Sequence, residues 1–341
     1  MKILAIETSC DDTCAAVLDN DRILSNVISS QVDLYQKWGG VVPDIAKRAH
    51  MERIEPVINE ALKRAKIKIE DIEVIGVSLG PGLAIALGIG VNKAKEMAIK
   101  YNKKLVAINH IEGHIWANLL KNKAGNPKRE IKFPALALTV SGGHTKLVLI
   151  KELGKYEVVG ETLDDAAGEA LDKAAKMMRL GYPGGPIIER LAKTGDVNFF
   201  ELPRPLMNKK ILDYSFSGLK TSFYYKIKDW PIDKIYKNIA NLSASFQNAV
   251  FDTLLKKFNL AIDKYEPKTL LASGGVLANL ELRKRLRKLA KEKNLKIFMP
   301  FKKELNTDNA AMVGIVTYQK ILRKEFVKDI DKLDRDPRYV L

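Results

Sequence analysis

The chain has 341 residues, 46% of them hydrophobic, and no apolar run long enough to cross a membrane, so a soluble protein of two domains is the expectation. Cys10 and Cys14 are the whole cysteine complement, which excludes a disulfide framework, a C-x-x-C redox pair and a four-cysteine zinc site; both read as reduced, small core residues. Lysine and arginine outnumber acids 57 to 41, and the net charge of +16 suits a polyanion such as nucleic acid, or equally a lysine-rich solvated surface.

The opening residues run straight into a strand pattern with no cleavable signal, which predicts a cytoplasmic protein with no membrane association. Residues 3–6, 74–78 and 105–108 read as strands alternating with helical segments, an α/β layout. Residues 44–66 carry Ile45, Ala49, Ile54, Val57, Ile58, Ala61, Leu62 and Ala65 at helical spacing, with Pro56 expected to kink or divide the helix. That face packs on the body of the protein or receives a partner. Gly80-Pro81-Gly82-Leu83 then leads into a small-residue helix, and a glycine turn at a helix start is a potential anion seat.

His110 and His114 hold half of the four histidines, in a stretch that reads as a helix. Side chains at i and i+4 share one face, so two imidazoles there can grip one divalent cation. The alternative is a helix with two surface imidazoles. A metal would need a third ligand from elsewhere, a carboxylate given how little histidine remains.

Residues 3–18 and 136–150 share a plan of apolar strand, polar turn and apolar strand, which points to an internal duplication whose turns can surround phosphates. Residues 170–180 read as a helix, 181–186 as a glycine-proline turn, and a second helix begins near Ile187. Residues 270–276 form a buried strand ending in a glycine turn, followed by Asn279 and a basic helix. Arg283, Lys284, Arg285, Arg287, Lys288, Lys291 and Lys293 make that helix a phosphate-backbone contact or a solvated face; no aromatic residues are interleaved for base stacking.

The stretches Ile6-Glu7-Thr8-Ser9-Cys10-Asp11, Gly39-Gly40-Val41-Val42-Pro43, Gly80-Pro81-Gly82-Leu83, residues 110–114, Val140-Ser141-Gly142-Gly143-His144-Thr145, residues 164–169, Tyr182-Pro183-Gly184-Gly185-Pro186, Phe216-Ser217-Gly218-Leu219-Lys220-Thr221, Ser273-Gly274-Gly275-Val276 and Thr307-Asp308-Asn309 occur in that order. In this they resemble the TsaD family, formerly called Gcp, in its bacterial-type branch. The resemblance implies the actin-like ATPase (ASKHA) fold, two ribonuclease-H-like domains around a nucleotide cleft. A first domain over 1–108, with 308–330 packing back on it, and a second over 109–307 with a helical insertion are expected. The implied activity is transfer of the threonylcarbamoyl group from threonylcarbamoyl-AMP to the N6 amine of the adenosine beside the anticodon in tRNAs reading ANN codons. The products are N6-threonylcarbamoyladenosine and AMP.

Carried over by position, the resemblance implies a metal site of His110, His114 and Asp308, holding Fe2+ or Zn2+. It implies substrate and nucleotide contacts, with threonylcarbamoyl-AMP or ATP, ADP or AMP, at Thr139, Val140, Ser141, Gly142, Gly143, Asp172, Gly185, Glu189 and Asn279. The implied partners are tRNA, a paralogous TsaB-type subunit, placed here on residues 44–66, and a TsaE-type P-loop ATPase. Two departures stand out. Asp12 occupies a position where many members carry glutamate, and Thr139 replaces a more apolar residue where the archaeal branch has a tyrosine, so no fourth protein ligand to the metal is expected. Asp11 in the first hairpin turn is the carboxylate expected to orient the incoming amine or accept its proton. A zinc protease would need H-E-x-x-H, but Ile111 follows the first histidine and Glu112 lies about 100° further round the helix. An actin-like sugar kinase is the other alternative, one that has no use for the histidine pair.

Overall fold

The structure, a computed structural model, describes residues 1–35 and 37–341. The chain forms two compact units, one of residues 1–130 with 300–341 and one of residues 131–299.

In the first unit β1 (Lys2–Glu7), β2 (Asp12–Asp19) and β3 (Arg22–Ser30) form an antiparallel meander, built on apolar runs that are buried along almost all of β1 and β2. After α1 (Val32–Tyr35) and α2 (Pro43–Ala65), β4 (Val74–Gly80), α3 (Ala84–Lys100) and β5 (Lys104–Asn109) add two parallel strands, and α4 (His110–Trp116) follows without a break. The sheet order is β3-β2-β1-β4-β5.

In the second unit β6 (Ala135–Val140), β7 (Thr145–Glu152) and β8 (Lys155–Glu161) again form a meander. The helices α5 (Ala167–Met177), α6 (Gly184–Ala192), α7 (Ser217–Ile227), α8 (Ile232–Lys237) and α9 (Ile239–Tyr265) precede β9 (Thr269–Ser273), α10 (Leu280–Glu292) and β10 (Lys296–Phe298). Both parallel strands lie on the β6 side, in the order β10-β9-β6-β7-β8. Each sheet therefore has the same succession of three antiparallel and two parallel neighbours, so the duplicated hairpin is one part of a duplicated fold. Finally α11 (Ala310–Leu322), buried along most of its length, returns to the first unit.

The units divide at 130/131 and 299/300, whereas a boundary after 108 and another after 307 were expected. The reason is that α4 continues directly from β5, and the chain beyond it stays pinned to the first unit. Lys121 N donates to Asp21 O, Ile23 N donates to Lys121 O, and Arg129 Nη1 donates to Asn118 O. The helix carrying Pro56 runs undivided, and its apolar stripe (Ala46, Ala49, Ile54, Val57, Ile58, Ala61) is buried within the unit. A partner on α2 would meet the outer, polar face, on which Met51 is exposed. The helix expected at 170–180 begins and ends three residues earlier. The one expected near Ile187 begins at Gly184, because the Asp172 carboxylate caps its first amides. Among the described residues, no helix is long and apolar enough to cross a membrane.

Close packing of β4 against α11 depends on Gly76, where an added Cβ would stand 1.9 Å from Thr317 Oγ1. Gly76→Ala should lower the unfolding free energy by about 1–3 kcal/mol through overpacking. Thr317→Ala in the same chain should recover part of that loss, as read by denaturant titration.

Candidate metal centre

The metal-ligating geometry begins with a helix cap. Asn109, the last residue of β5, accepts from Ile111 N at 2.9 Å and Glu112 N at 3.2 Å through Oδ1, so α4 starts abruptly at the sheet edge. Its Nδ2 donates to Tyr339 O at 2.9 Å, tying the cap to the C-terminal segment. All seven residues of α4 are buried, and His110 and His114 meet edge to face with ring centroids 4.7 Å apart. Asp308 lies just before α11, whose own cap, Asn309, accepts from Met312 N at 3.1 Å. Asp308 Oδ1 is 3.5 Å from His110 Nε2 and 3.1 Å from His114 Nε2. Ligand atoms from the three residues lie within 4.8 Å of one another.

Orientation comes from Glu7. Its carboxylate ends the buried strand β1, where Oε1 accepts from Ser9 N at 2.5 Å and Oε2 accepts from the Ser78 hydroxyl. His110 Nδ1 lies 3.1 Å from Glu7 Oε2 and 3.0 Å from Ser9 Oγ, which leaves Nε2 to face Asp308. Burial opposes a charge on Glu7, but His110 and Ser78 outweigh it and hold the carboxyl below its usual range. Burial also opposes a charge on His110; the Asp308 and Glu7 carboxylates overcome it and lift the imidazole to about 9.

The residues fit a cation. His114 is wholly buried, yet neither of its ring nitrogens makes a hydrogen bond, although Nε2 is 3.1 Å from a carboxylate oxygen. Two donors each about 2.1 Å from one metal stand roughly 3.0–3.4 Å apart, close to the imidazole–carboxylate separations here. A carboxylate behind a ligating imidazole, as Glu7 stands behind His110, fixes the tautomer and raises ligand basicity.

The acidic turn between β1 and β2 belongs to the same unit. Burial, reinforced by the charges of Asp11 and Asp308, pushes the Asp12 carboxyl up to about 7. Burial and the nearby acids also raise the Cys10 and Cys14 thiols well above the ordinary thiol range, and neither cysteine forms a disulfide. Asp11 is half-buried, and its backbone carbonyl accepts from Gln31 N at 3.0 Å. The glycine turn at Gly80–Leu83 is closed to anions: Gly82 N donates to Pro337 O at 3.2 Å and Leu83 N to Ser9 O at 2.7 Å.

In the second unit the residues expected to contact nucleotide are joined in a ring of contacts. Thr139 is buried with its hydroxyl lacking a hydrogen-bond partner, and Gly142 and Gly143 are exposed at the β6–β7 turn. Ser141 O accepts from Gly168 N at 3.2 Å, which seats the start of α5 on that turn. From α5, Asp172 Oδ1 accepts from Gly184 N at 2.7 Å and Gly185 N at 3.2 Å. From α6, Glu189 Oε1 accepts from Leu280 N at 2.7 Å. Asn279 caps α10 through Oδ1 and donates from Nδ2 to Gln247 Oε1 at 2.8 Å, so its side chain is engaged in the fold. Gly274, at φ +97°, closes the ring: a Cβ there would be 2.3 Å from Val140 O.

Comparison with known proteins decides the family. A family model described as TsaD, tRNA N6-adenosine threonylcarbamoyltransferase, matches residues 22–315. The chain belongs to the TsaD family. Relatives carrying that same name include those of Thermosipho melanesiensis, 48% identical over 320 residues with 94% of each chain covered, and Bacillus subtilis, 47% identical over 330 residues covering 95% of this chain and 92% of the relative. Among solved structures, T. kodakarensis HypF superposes with a TM-score of 0.61 at 14% identity, covering 97% of this chain and 49% of that one. The activator of the 2-hydroxyisocaproyl-CoA dehydratase from Clostridium difficile, with bound ADPNP, gives 0.53 at 14% identity, with 96% and 99% covered. These likenesses concern the fold, which is of the actin-like ATPase type.

Within this TsaD chain, Glu112 stands apart from the His110, His114 and Asp308 cluster, 3.8 Å from Lys320 Nζ and 3.9 Å from Arg323 Nη2. It anchors α4 to α11, a position unsuited to a protease general base. Glu7 is the residue that sequence reasoning passed over as a functional side chain. Its signal was an acid at the end of an otherwise apolar strand, Lys2-Ile3-Leu4-Ala5-Ile6-Glu7, which a buried strand tolerates only with a partner.

Glu7→Gln should weaken divalent-metal binding roughly 10–100-fold in a chelator competition; an unchanged affinity would remove Glu7 from the metal centre. In chelated protein the raised Asp12 pKa favours folding below its ordinary value of 3.8, and that contribution disappears as pH rises through about 7. Asp12→Asn should therefore gain thermal stability over the wild type as pH climbs from about 4 to 8. Parallel melting curves across that range would contradict it.

Proposed function

We propose that this chain transfers the threonylcarbamoyl group of threonylcarbamoyl-AMP to the N6 amine of the adenosine beside the anticodon of tRNAs reading ANN codons. N6-threonylcarbamoyladenosine forms and AMP departs. The observation that carries the proposal is the convergence of His110, His114 and Asp308, with His110 held from behind by Glu7, in a chain of the TsaD family.

His110, His114 and Asp308 would hold one divalent cation, iron(II) or zinc, which when bound supplies Lewis acidity and a template for the carbamoyl and phosphate oxygens. Glu7 and Ser9 keep the His110 ring turned so that Nε2 faces Asp308. The acyl carbon arrives activated, so attack by the adenine nitrogen and departure of AMP require no protein nucleophile. The raised Cys10 and Cys14 thiols suit that, since a protonated thiol is a poor nucleophile. Catalysis then rests on positioning and on stabilising the charge that develops on oxygen. Asp11, in the turn that follows Glu7, is assigned to orient the amine or take its proton. In the second unit the exposed backbone of Gly142 and Gly143 offers amides to the phosphate of the adenylate or of ATP, ADP or AMP, while Gly185, whose N–H is given to Asp172, leaves open space beside its Cα. Asp172 and Glu189, whose Oδ1 and Oε1 atoms respectively brace the ring, have second oxygens suited to ribose hydroxyls, and Thr139, Val140, Ser141 and Asn279 shape the turn around them. A TsaB-type paralogue on the outer face of α2, a TsaE-type ATPase and a cytoplasmic setting complete the proposal.

The test is nucleoside analysis of tRNA after incubation with threonine, bicarbonate, ATP, an adenylate-forming enzyme, the helper proteins and this chain. Modified adenosine should appear only with this chain present, and His110→Ala should lose both bound metal and most of the product. Full modification by a metal-free His110→Ala protein would reject the metal-centred proposal.

A further inference from the structure

The basic helix singled out in the sequence is not uniformly charged toward solvent, and the structure sorts its cations into two sets. Leu282, Leu286 and Ala290 bury one face of α10. Arg285 is spent on acids, with Nε 2.8 Å from Glu281 and Nη1 3.2 Å from Asp252, and Lys293 pairs with Asp263 at 2.5 Å. Lys284 and Lys288 are about four-fifths exposed, each within 4.0 Å of a glutamate on the same helix.

Arg287, Lys291 and, on the edge strand β10, Lys296 are different. Among the described residues none of the three makes an ion pair, and all three are exposed. Together with Asn294 and the apolar Ala290, Leu295 and Ile297 they line one hollow of about 420 Å³ that contains no acid. Arg283 continues the line one turn earlier; burial and the Arg287 charge both lower its affinity for its proton. Arg283, Arg287 and Lys291 recur every four residues, about 6 Å apart along the helix, and like charges at that spacing destabilise it. A single lysine on β10 would suffice to protect a sheet edge from pairing. Two more cations facing the same hollow from α10 serve no such purpose, and the absence of acids leaves their charge for an external anion.

We infer that the α10–β10 hollow lined by Arg287, Lys291, Asn294 and Lys296 is a docking surface for the phosphodiester backbone of the tRNA substrate. The inference rests on the proposed tRNA activity and adds to it a surface in the second unit. Cations without interleaved aromatics bind phosphates and do not stack bases, so the contact is independent of sequence.

The experiment uses the full-length Arg287→Ala/Lys291→Ala/Lys296→Ala variant with its helper proteins, measuring tRNA binding against salt and modification against tRNA concentration. Its KM for tRNA should rise roughly tenfold, and the slope of log K against log salt should shrink by about two to three. The kcat at saturating tRNA and the metal content should stay at wild-type levels. Binding of a tRNA lacking the target adenosine should weaken by the same factor. Lys284→Ala/Lys288→Ala, which removes charge from the same helix outside the hollow, should shift KM far less. If the triple variant unfolds, Lys291→Glu alone carries the comparison. Wild-type KM and salt slope in the triple variant, or an equal loss in the Lys284/Lys288 control, would overturn the docking surface while leaving the tRNA activity standing. A wild-type protein that neither binds nor modifies tRNA would overturn the activity, and the docking surface with it.

Discussion

A buried carboxylate pressed against a buried imidazole governs the first unit. Glu7 is fully enclosed at the end of β1, and an unpaired charge there would be untenable. Its oxygens are satisfied by Ser9 N, the Ser78 hydroxyl and His110 Nδ1. That last contact decides which ring nitrogen of His110 faces Asp308. The sheet order makes the contact available: β1 lies beside β4, which carries Ser78, and β4 lies beside β5, which delivers His110 one residue past its end. The acid, its hydroxyl donor and the imidazole thus sit at the same end of three adjacent parallel strands. Ligand sites in open α/β sheets form outside the carboxyl ends of strands.

The electrostatics of that end call for positive charge. Burial, with the charges of Asp11, Asp308 and Glu7 added to it, raises the Asp12 carboxyl to about 7, and the Asp308 and Glu7 carboxylates lift His110 to about 9 against its burial. A proton on His110 relieves part of the repulsion; a divalent cation would relieve more and would also give the unsatisfied His114 Nε2, 3.1 Å from Asp308, a partner. Metal capture at this centre would therefore be linked to proton release.

The second unit repeats the topology but uses it differently. Its hairpin turn presents backbone, with Gly142 and Gly143 open to solvent. Capping interactions from Asp172, Glu189 and Asn279 lock α5, α6 and α10 around that turn. Side chains that look from sequence like direct ligand contacts are thereby shown to brace the elements on which the amides are displayed. Such bracing holds the backbone of the turn in one arrangement, the condition that anion recognition by backbone amides would require.

Much was legible in the residues themselves. The strands at 3–6, 74–78 and 105–108 and the duplicated hairpin follow from local apolar periodicity, which depends only on neighbouring residues. The i,i+4 histidine pair is equally local, and its need for a distant carboxylate follows from coordination chemistry. The sequence motifs determined the family. Tertiary structure alone decided the rest, because it turns on long-range contacts that no local pattern encodes. Glu7 is linked to His110 across 103 positions, α4 joins the first unit through α11, the Gly80–Leu83 amides are taken by Pro337 and Ser9, and the cations of α10 divide into paired and unpaired sets according to where Asp252 and Asp263 of α9 fall. Side-chain type fixes what a residue can bind; only the packed chain fixes which of those capacities its neighbours leave unfilled.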